Sequence, residues 1–166
     1  MPDQNIPVTF RFAEASDYRY FADLVLNEPE MVKKNLGLLG FDDEYFKCSD
    51  WRVVIIAMNG KERIGCVSVS GGNSNGFNYI GFMYVVPKWR RCGVGKQLIK
   101  FASEYAFTTW NAGGIDLYTI ENEGMDRLLY KNGFVPDGEE TKHYYLNGKF
   151  IGQKRWIKIY EHIPQT

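Results

Sequence analysis

Val85-Val86-Pro87-Lys88-Trp89-Arg90-Arg91-Cys92-Gly93-Val94-Gly95-Lys96 is the stretch on which the reading of this chain turns. An apolar strand-like run ends, Pro87 stops it, a basic glycine-containing turn follows, and an amphipathic helix begins at once. From Val94 the apolar positions Leu98, Phe101, Ala102 and Tyr105 keep a helical register to about Thr108. Physically this is an anion site, because the first N–H groups of a helix have no intrahelical partner and the helix dipole favours negative charge there. Gly93 and Gly95 carry no side chain, so a pyrophosphate can approach the backbone, and Arg90, Arg91 and Lys96 would add positive charge. A blander reading, a glycine-rich helix start with surface arginines, fits the turn alone equally well.

Two familiar phosphate loops are excluded by spacing. Gln97 follows Lys96 and no glycine stands at 90, so there is no Gly-x-x-x-x-Gly-Lys-[Ser/Thr]. Leu98 stands where a third glycine would complete Gly-x-Gly-x-x-Gly.

Upstream of the turn, Asn78 to Val86 reads as a strand, preceded by the loop Gly71-Gly72-Asn73-Ser74-Asn75-Gly76. Trp51 to Met58 and Ile64 to Ser70 are strand-like on either side of Asn59-Gly60, a hairpin signal. Val8 to Phe12 alternates toward a first strand. Ser16 offers an N-cap to a helix carrying Tyr18, Phe21, Ala22 and Val25. Pro29 suits the first turn of another short helix, and Asp42-Asp43-Glu44 reads as a loop or helix start. Downstream, Gly113-Gly114 breaks the chain and Ile115 to Ile120 is strand-like. Asn122 can cap a short helix bearing Met125, Leu128 and Leu129, which Gly133 would terminate. Two further strands flank Asn147-Gly148. This order predicts an α+β or mixed α/β sandwich in one domain over residues 1–166, not a doubly wound Rossmann domain.

Composition narrows the partners. A chain of 166 residues forms one domain that buries roughly 70% of its unfolded surface. Aromatic residues make up 16% of it, which suggests a well-filled core and an aromatic-lined cleft. Twenty basic residues balance twenty acidic ones, so no global field favours nucleic acid or an anionic membrane. Cys48, Cys66 and Cys92 show no metal-ligand spacing, and with only His143 and His162 beside them no metal site is expected. Met1-Pro2-Asp3-Gln4-Asn5 lacks a signal-peptide pattern, and no apolar run reaches the roughly 20 residues that span a bilayer. A reduced, cytoplasmic protein is the expectation.

Arg90-Arg91-Cys92-Gly93-Val94-Gly95 resembles the Gln/Arg-x-x-Gly-x-Gly/Ala signature of the GNAT superfamily of N-acetyltransferases. Tyr84-Val85-Val86-Pro87 is similar to that family's strand entering the motif, and Asn122, Gly133 and Phe134 match its asparagine-to-Gly-Phe spacing. The resemblance covers nearly the whole chain. It implies a central, mostly antiparallel twisted sheet of about seven strands flanked by helices, with one strand pair splayed at a bulge to open a cofactor cleft. It also implies acetyl-CoA as co-substrate, its pyrophosphate on the amides of residues 91 to 96 and its pantetheine along Tyr84, Val85 and Val86. The Val85 backbone N–H would steady the tetrahedral oxyanion, a role often worth a few kcal/mol. Asn122 would hold the cofactor near its sulfur, or serve as a plain N-cap.

The pattern is broken twice. Members often place a tyrosine four residues before the Gly-Phe pair to protonate the departing thiolate; here that position is Leu129, and Tyr130 comes one residue late. One residue turns a helix by about 100°, so Tyr130, the candidate acid, leaves the cleft unless the helix is distorted. Many members carry a glutamate on the strand before the motif, as base or water-holder, and the aligned position here is Tyr79. Glu121 and Asp126 are substitute bases or plain surface acids, and Asp42-Asp43-Glu44 either draws a cationic acceptor or is a solvated loop. Cys92 is read as a small filler rather than a nucleophile. The expected activity is transfer of an acetyl group from acetyl-CoA to a primary amine, on a small molecule or a peptide, by direct attack. The rivals are a non-catalytic acyl-CoA sensor on the same fold and a protein that binds ATP phosphates at the Gly93 turn. The acceptor, the acyl-chain preference and the oligomeric state, a homodimer among the options, stay open.

Overall fold

β-Branched and aromatic residues concentrate in short runs bounded by glycine and asparagine turns, and those runs become strands. The computed structural model describes residues 6–28, 43, 44, 46–71, 75–120, 125–146 and 148–160. Its elements are β1 (Thr9–Phe12), α1 (Ala15–Leu26), β2 (Arg52–Asn59), β3 (Glu62–Ser70), β4 (Phe77–Val85), a 3-10 turn (Pro87–Trp89), α2 (Val94–Thr109), β5 (Gly114–Ile120), α3 (Asp126–Lys131), β6 (Val135–Leu146) and β7 (Lys149–Ile159). They form one seven-stranded sheet in the order β1-β2-β3-β4-β5-β7-β6. Only β4 and β5 run parallel, joined by the crossover helix α2 that parallel neighbours require. The other pairs are antiparallel. This is the mixed, mostly antiparallel architecture the resemblance implied.

Both faces of the sheet are covered, which is why β2 reads as an unbroken apolar run rather than an alternation. Val53, Ile55 and Ala57 face α2, where Val94, Leu98, Ile99, Ala102 and Ala106 pack with Val67, Ile115, Leu117 and Trp156. Val54 and Ile56 face α1, where Phe21 and Val25 pack with Phe46, Cys66 and Tyr84. The α1 side is called the front below and the α2 side the back.

Helix α1 starts differently from the sequence expectation. Its N-cap is Glu14, not Ser16, which lies inside the first turn. The reason is Asp17: its fully buried carboxylate accepts from the Glu14 N–H at 2.7 Å, from Arg11 at 2.7 and 2.8 Å and from Arg63 Nε at 2.6 Å. Two strands thus deliver arginines to the helix start, and the cap forms around their counter-ion. Burial alone would push the Asp17 carboxyl up, but the bonds from Arg11, Glu14 and Arg63 outweigh it and hold it below its ordinary value.

Pro29, Asp42, Asn122 and Asn147 lie outside the described residues. Asp43 and Glu44 sit in a turn, and Glu44 pairs with Lys47. Helix α3 begins at Asp126, with Met125 before it. Gly133, at φ 82°, ends it as expected.

Candidate active site

Strand β4 is paired on one side along most of its length and on the other only at its start. Its parallel ladder with β5 comprises Phe77–Gly114, Asn78–Ile115 and Tyr79–Asp116, and no further pairs follow. Beyond Tyr79 the strands part. Opposite, a bulge in the β3–β4 register falls between Val67 and Val69, and there the Phe82 N–H donates to Ser68 Oγ at 3.0 Å. The Val86 N–H donates to Ile64 O at 2.9 Å, which makes those residues a bonded pair. By the alternation of an antiparallel ladder, Tyr84 and Cys66 bond next, while Val85 and Met83 turn their N–H and C=O groups away from β3 and into the gap. An open strand edge therefore lines the cleft at Val85 and Met83. Val85 was expected there; Met83 was not singled out, because only the ladder phase identifies it. Val86 is committed to β3 and is nearly buried.

The basic turn closes the upper end of the gap. Arg91 and Gly93 both adopt left-handed backbone, at φ 62° and 79°, and α2 begins at Val94. Gln97 N–H donates to Gly93 O at 3.1 Å as the first bond of the helix. Among the described residues no group accepts a hydrogen bond from the amides of residues 91 to 96. The unpaired N–H groups at the start of α2, preceded by left-handed backbone at Arg91 and Gly93, are suited to a phosphate. A Cβ built at Gly95 would meet Leu128 at 3.5 Å and Met83 and Val85 at 3.8 Å, so the helix start packs closely over β4 and α3. Cys92 is part-buried, its Sγ directed to Arg90 O at 3.5 Å, in keeping with a filler. Arg91 and Lys96 are exposed beside the amides.

Arg90 does not join them in this arrangement. Its Nη atoms grip Glu28 at 2.6 and 2.9 Å, and Nε donates to Val85 O at 2.9 Å. Glu28 also accepts from the Tyr84 hydroxyl at 2.7 Å. A bidentate carboxylate outcompetes open solvent for a guanidinium, and Glu28 lies on the front side. Arg90 therefore caps the open edge of β4 rather than the phosphate turn. The same cluster sets the acidities. The Arg90 bond holds the Glu28 carboxyl below its ordinary value against partial burial, with Tyr84 assisting. Burial, then the bond and charge of Glu28, push the Tyr84 phenol well above its own. The Tyr84 side chain is buried in the front core, and its backbone pairs with Cys66 of β3.

Helix α3 places Leu128, not a tyrosine, beside Gly95. Leu129 is fully buried in the back core. Tyr130 lies about 200° round the helix from Leu128, 55% exposed, with its ring edge-on to Trp156 at 5.0 Å. The helix is not distorted to bring it back, so the candidate acid is directed away from the gap. Asp126 is exposed and contacts Lys154 at 3.5 Å, and Glu121 lies outside the described residues. On the front face the throat is walled by Tyr79 and Tyr118, ring centroids 6.1 Å apart. Among the described residues no group of His, Cys, Asp and Glu is placed to hold a metal, and no helix is long and apolar enough to cross a membrane. Cys48, Cys66 and Cys92 are free thiols.

A mixed sheet opened beside its one parallel pair, with a bare helix N-terminus at the mouth, defines a domain built to take an extended, phosphate-bearing cofactor. The sequence model of the acetyltransferase (GNAT) domain matches residues 50–136, more than half of the chain, and the chain belongs to that family. It is 31% identical over 72 residues to the spermidine N(1)-acetyltransferase of Vibrio cholerae serotype O1, spanning 43% of this chain and 42% of the length of that relative. The crystal structure of the Vibrio cholerae spermidine N-acetyltransferase in complex with CoA and spermine superposes with a TM-score of 0.70 at 23% identity, over 92% of this chain and 95% of that one. A dodecameric structure of the enzyme from that organism, in an intermediate state, gives 0.69 at 21% identity over 92% and 93%.

Proposed function

We propose that this protein transfers an acetyl group from acetyl-CoA to a primary amine by direct attack. The observation that carries the reading is the run of amides 91–96 with no acceptor among the described residues, contiguous with the open edge of β4. A diphosphate on those amides would let the pantetheine enter the gap as an extra strand, bonding to the groups that Met83 turns outward, since Val85 O is held by Arg90. Arg91, Cys92, Gly93, Val94, Gly95 and Lys96 would hold the pyrophosphate, and Asn122 remains the candidate at the sulfur end. The Val85 N–H would donate to the oxyanion as the neutral amine adds to the thioester carbonyl. The C–S bond then breaks, the nitrogen sheds its proton to water, and CoA leaves as thiolate. A thiol of pKa about 8.5 can leave without a protein acid, at a loss of perhaps 10²–10⁴ in rate. The outward Tyr130 and the Leu at position 129 accord with such a route.

That no acid faces the gap among the described residues favours one other reading, an acyl-CoA sensor that binds without turnover. A thiol-release assay with acetyl-CoA and a panel of amines separates the two. The panel includes spermidine, for which the Vibrio cholerae relative is named. Release above the no-amine rate supports transfer, and tight CoA binding with no release across the panel supports the sensor. A cytoplasmic location and self-association are further parts of the reading. The first is checked by cell fractionation and the second by light scattering.

A further inference from the structure

At the throat of the cleft stands a carboxylate that neither the cofactor turn nor the core accounts for. Asp116 lies on β5 opposite Tyr79, in the last register pair before the strands part. Its side chain is 13% exposed. Its Oδ2 receives only a long contact from Arg155 Nη2 at 3.3 Å, and its Oδ1 and the Arg155 Nε, both buried, have no partner among the described residues. Arg155 bonds more closely in the other direction, to Asp137 Oδ2 on β6 at 2.5 Å, and its guanidinium rests over the Phe77 ring at 5.5 Å. One guanidinium between two carboxylates leaves a surplus negative charge within this cluster. A carboxylate this far from water is costly unless its lone pairs are matched.

The geometry of the cofactor reading, on which this inference rests, supplies the missing partner. A pyrophosphate on amides 91–96 makes the pantetheine enter at the Val85 end of the gap, so its thioester points down β4 toward Met83 and the bulge. The space left for an acceptor is the throat, where Tyr79 and Tyr118 are 36% and 39% exposed. Aromatic faces and a carboxylate together select a cation. We propose that Asp116 anchors the ammonium group of a cationic amine acceptor, with Tyr79 and Tyr118 as the walls of that site. Asp116 is a specificity residue and not a general base. It recruits the charged amine, and the small neutral fraction reacts.

The test is calorimetric titration of the CoA-loaded protein with three probes, butylamine, glycinamide and spermidine. At least one should bind wild type at millimolar concentration or tighter. Asp116→Asn should weaken that binding by about tenfold or more, as expected for a lost bond to a charged group, and leave the Kd for CoA within about twofold. A second variant, Asp116→Asn with Arg155→Met, separates anchoring from a purely structural ion pair, since it removes the guanidinium left without its counter-ion. If Asp116 is the anchor, the double variant regains stability but still fails to bind the amine. Recovery of amine affinity in the double variant overturns the proposal, as does the absence of amine binding by CoA-loaded wild type or an unchanged affinity in Asp116→Asn. Failure of CoA itself to bind shows in the first titration and removes the cofactor reading together with the inference.

Discussion

Gly93 holds a left-handed backbone at φ 79° directly before the helix that carries the free amides. A β-carbon there strains the chain by roughly 1–2 kcal/mol, whereas a carboxylate would also place negative charge among the donors proposed for a phosphate. The two effects can be separated. Gly93→Ala should lower Tm by a few degrees, at about 2–4 °C per kcal/mol for a chain of this size, and keep a stabilising response to acetyl-CoA. Gly93→Glu should lose that response, which for wild type at 100 times Kd amounts to about 2.7 kcal/mol. Thermal unfolding with and without ligand reads both, and an undiminished shift in folded Gly93→Glu would remove the cofactor from this turn. Tyr130 gives the complementary case. Its ring leans on Trp156 and not into the gap, so Tyr130→Phe should change kcat by less than about threefold, well short of an acid's usual contribution. A hundredfold loss with unchanged KM would place Tyr130 in the reaction.

Strand β4 shows how one element serves the sheet and the cleft at once. Its Val86 N–H belongs to β3, while the Val85 N–H, one residue earlier, faces the gap. Val85→Pro therefore deletes a donor that the ladder does not use, and proline is tolerated where a strand edge is open. The variant should keep its far-ultraviolet circular dichroism and lose about 10²–10³ in kcat if that N–H holds the oxyanion. Unchanged kcat in the folded variant would move the donor elsewhere, with Met83 next in line. The strands themselves were legible in the sequence to within a residue or two, because apolar runs and Asn-Gly turns are local signals. So was the glycine turn before α2, whose parts are contiguous. What long-range contacts decide was not legible. The direction of Arg90 depends on Glu28, 62 residues upstream. The start of α1 depends on an arginine 46 residues from Asp17, which displaced the obvious Ser16 cap. The place of Asp116 follows only from the register across the α2 crossover.

Across the whole molecule, helix α1 and the residues around it are pinned to the sheet at both ends by carboxylate clusters. Asp17 ties its start to Arg11 of β1 and Arg63 of β3, and Glu28, just past its end, ties the chain to Tyr84 of β4 and Arg90 of the turn. Both clamps should shape stability on the acid limb, and the second on the alkaline limb as well. Asp17 and Glu28 are both held below the ordinary carboxyl range. Their contribution is therefore complete above an unfolded value of about 4 and disappears as pH falls through the lower folded value. The Tyr84 phenol is raised, so its contribution is complete below about 10 and is lost as pH rises from there. Asp17→Asn strands two arginines at a buried site, a change that typically costs 3–5 kcal/mol. It should lower Tm at pH 7 by about 6–20 °C and flatten the acid limb. Tyr84→Phe should leave the acid limb in place and soften only the alkaline fall above about pH 10. Thermal unfolding of wild type and both variants from pH 3 to 11 is the measurement. An acid limb of equal steepness in Asp17→Asn would mean that other carboxylates carry the acid sensitivity and that the clamp at the start of α1 contributes little to it.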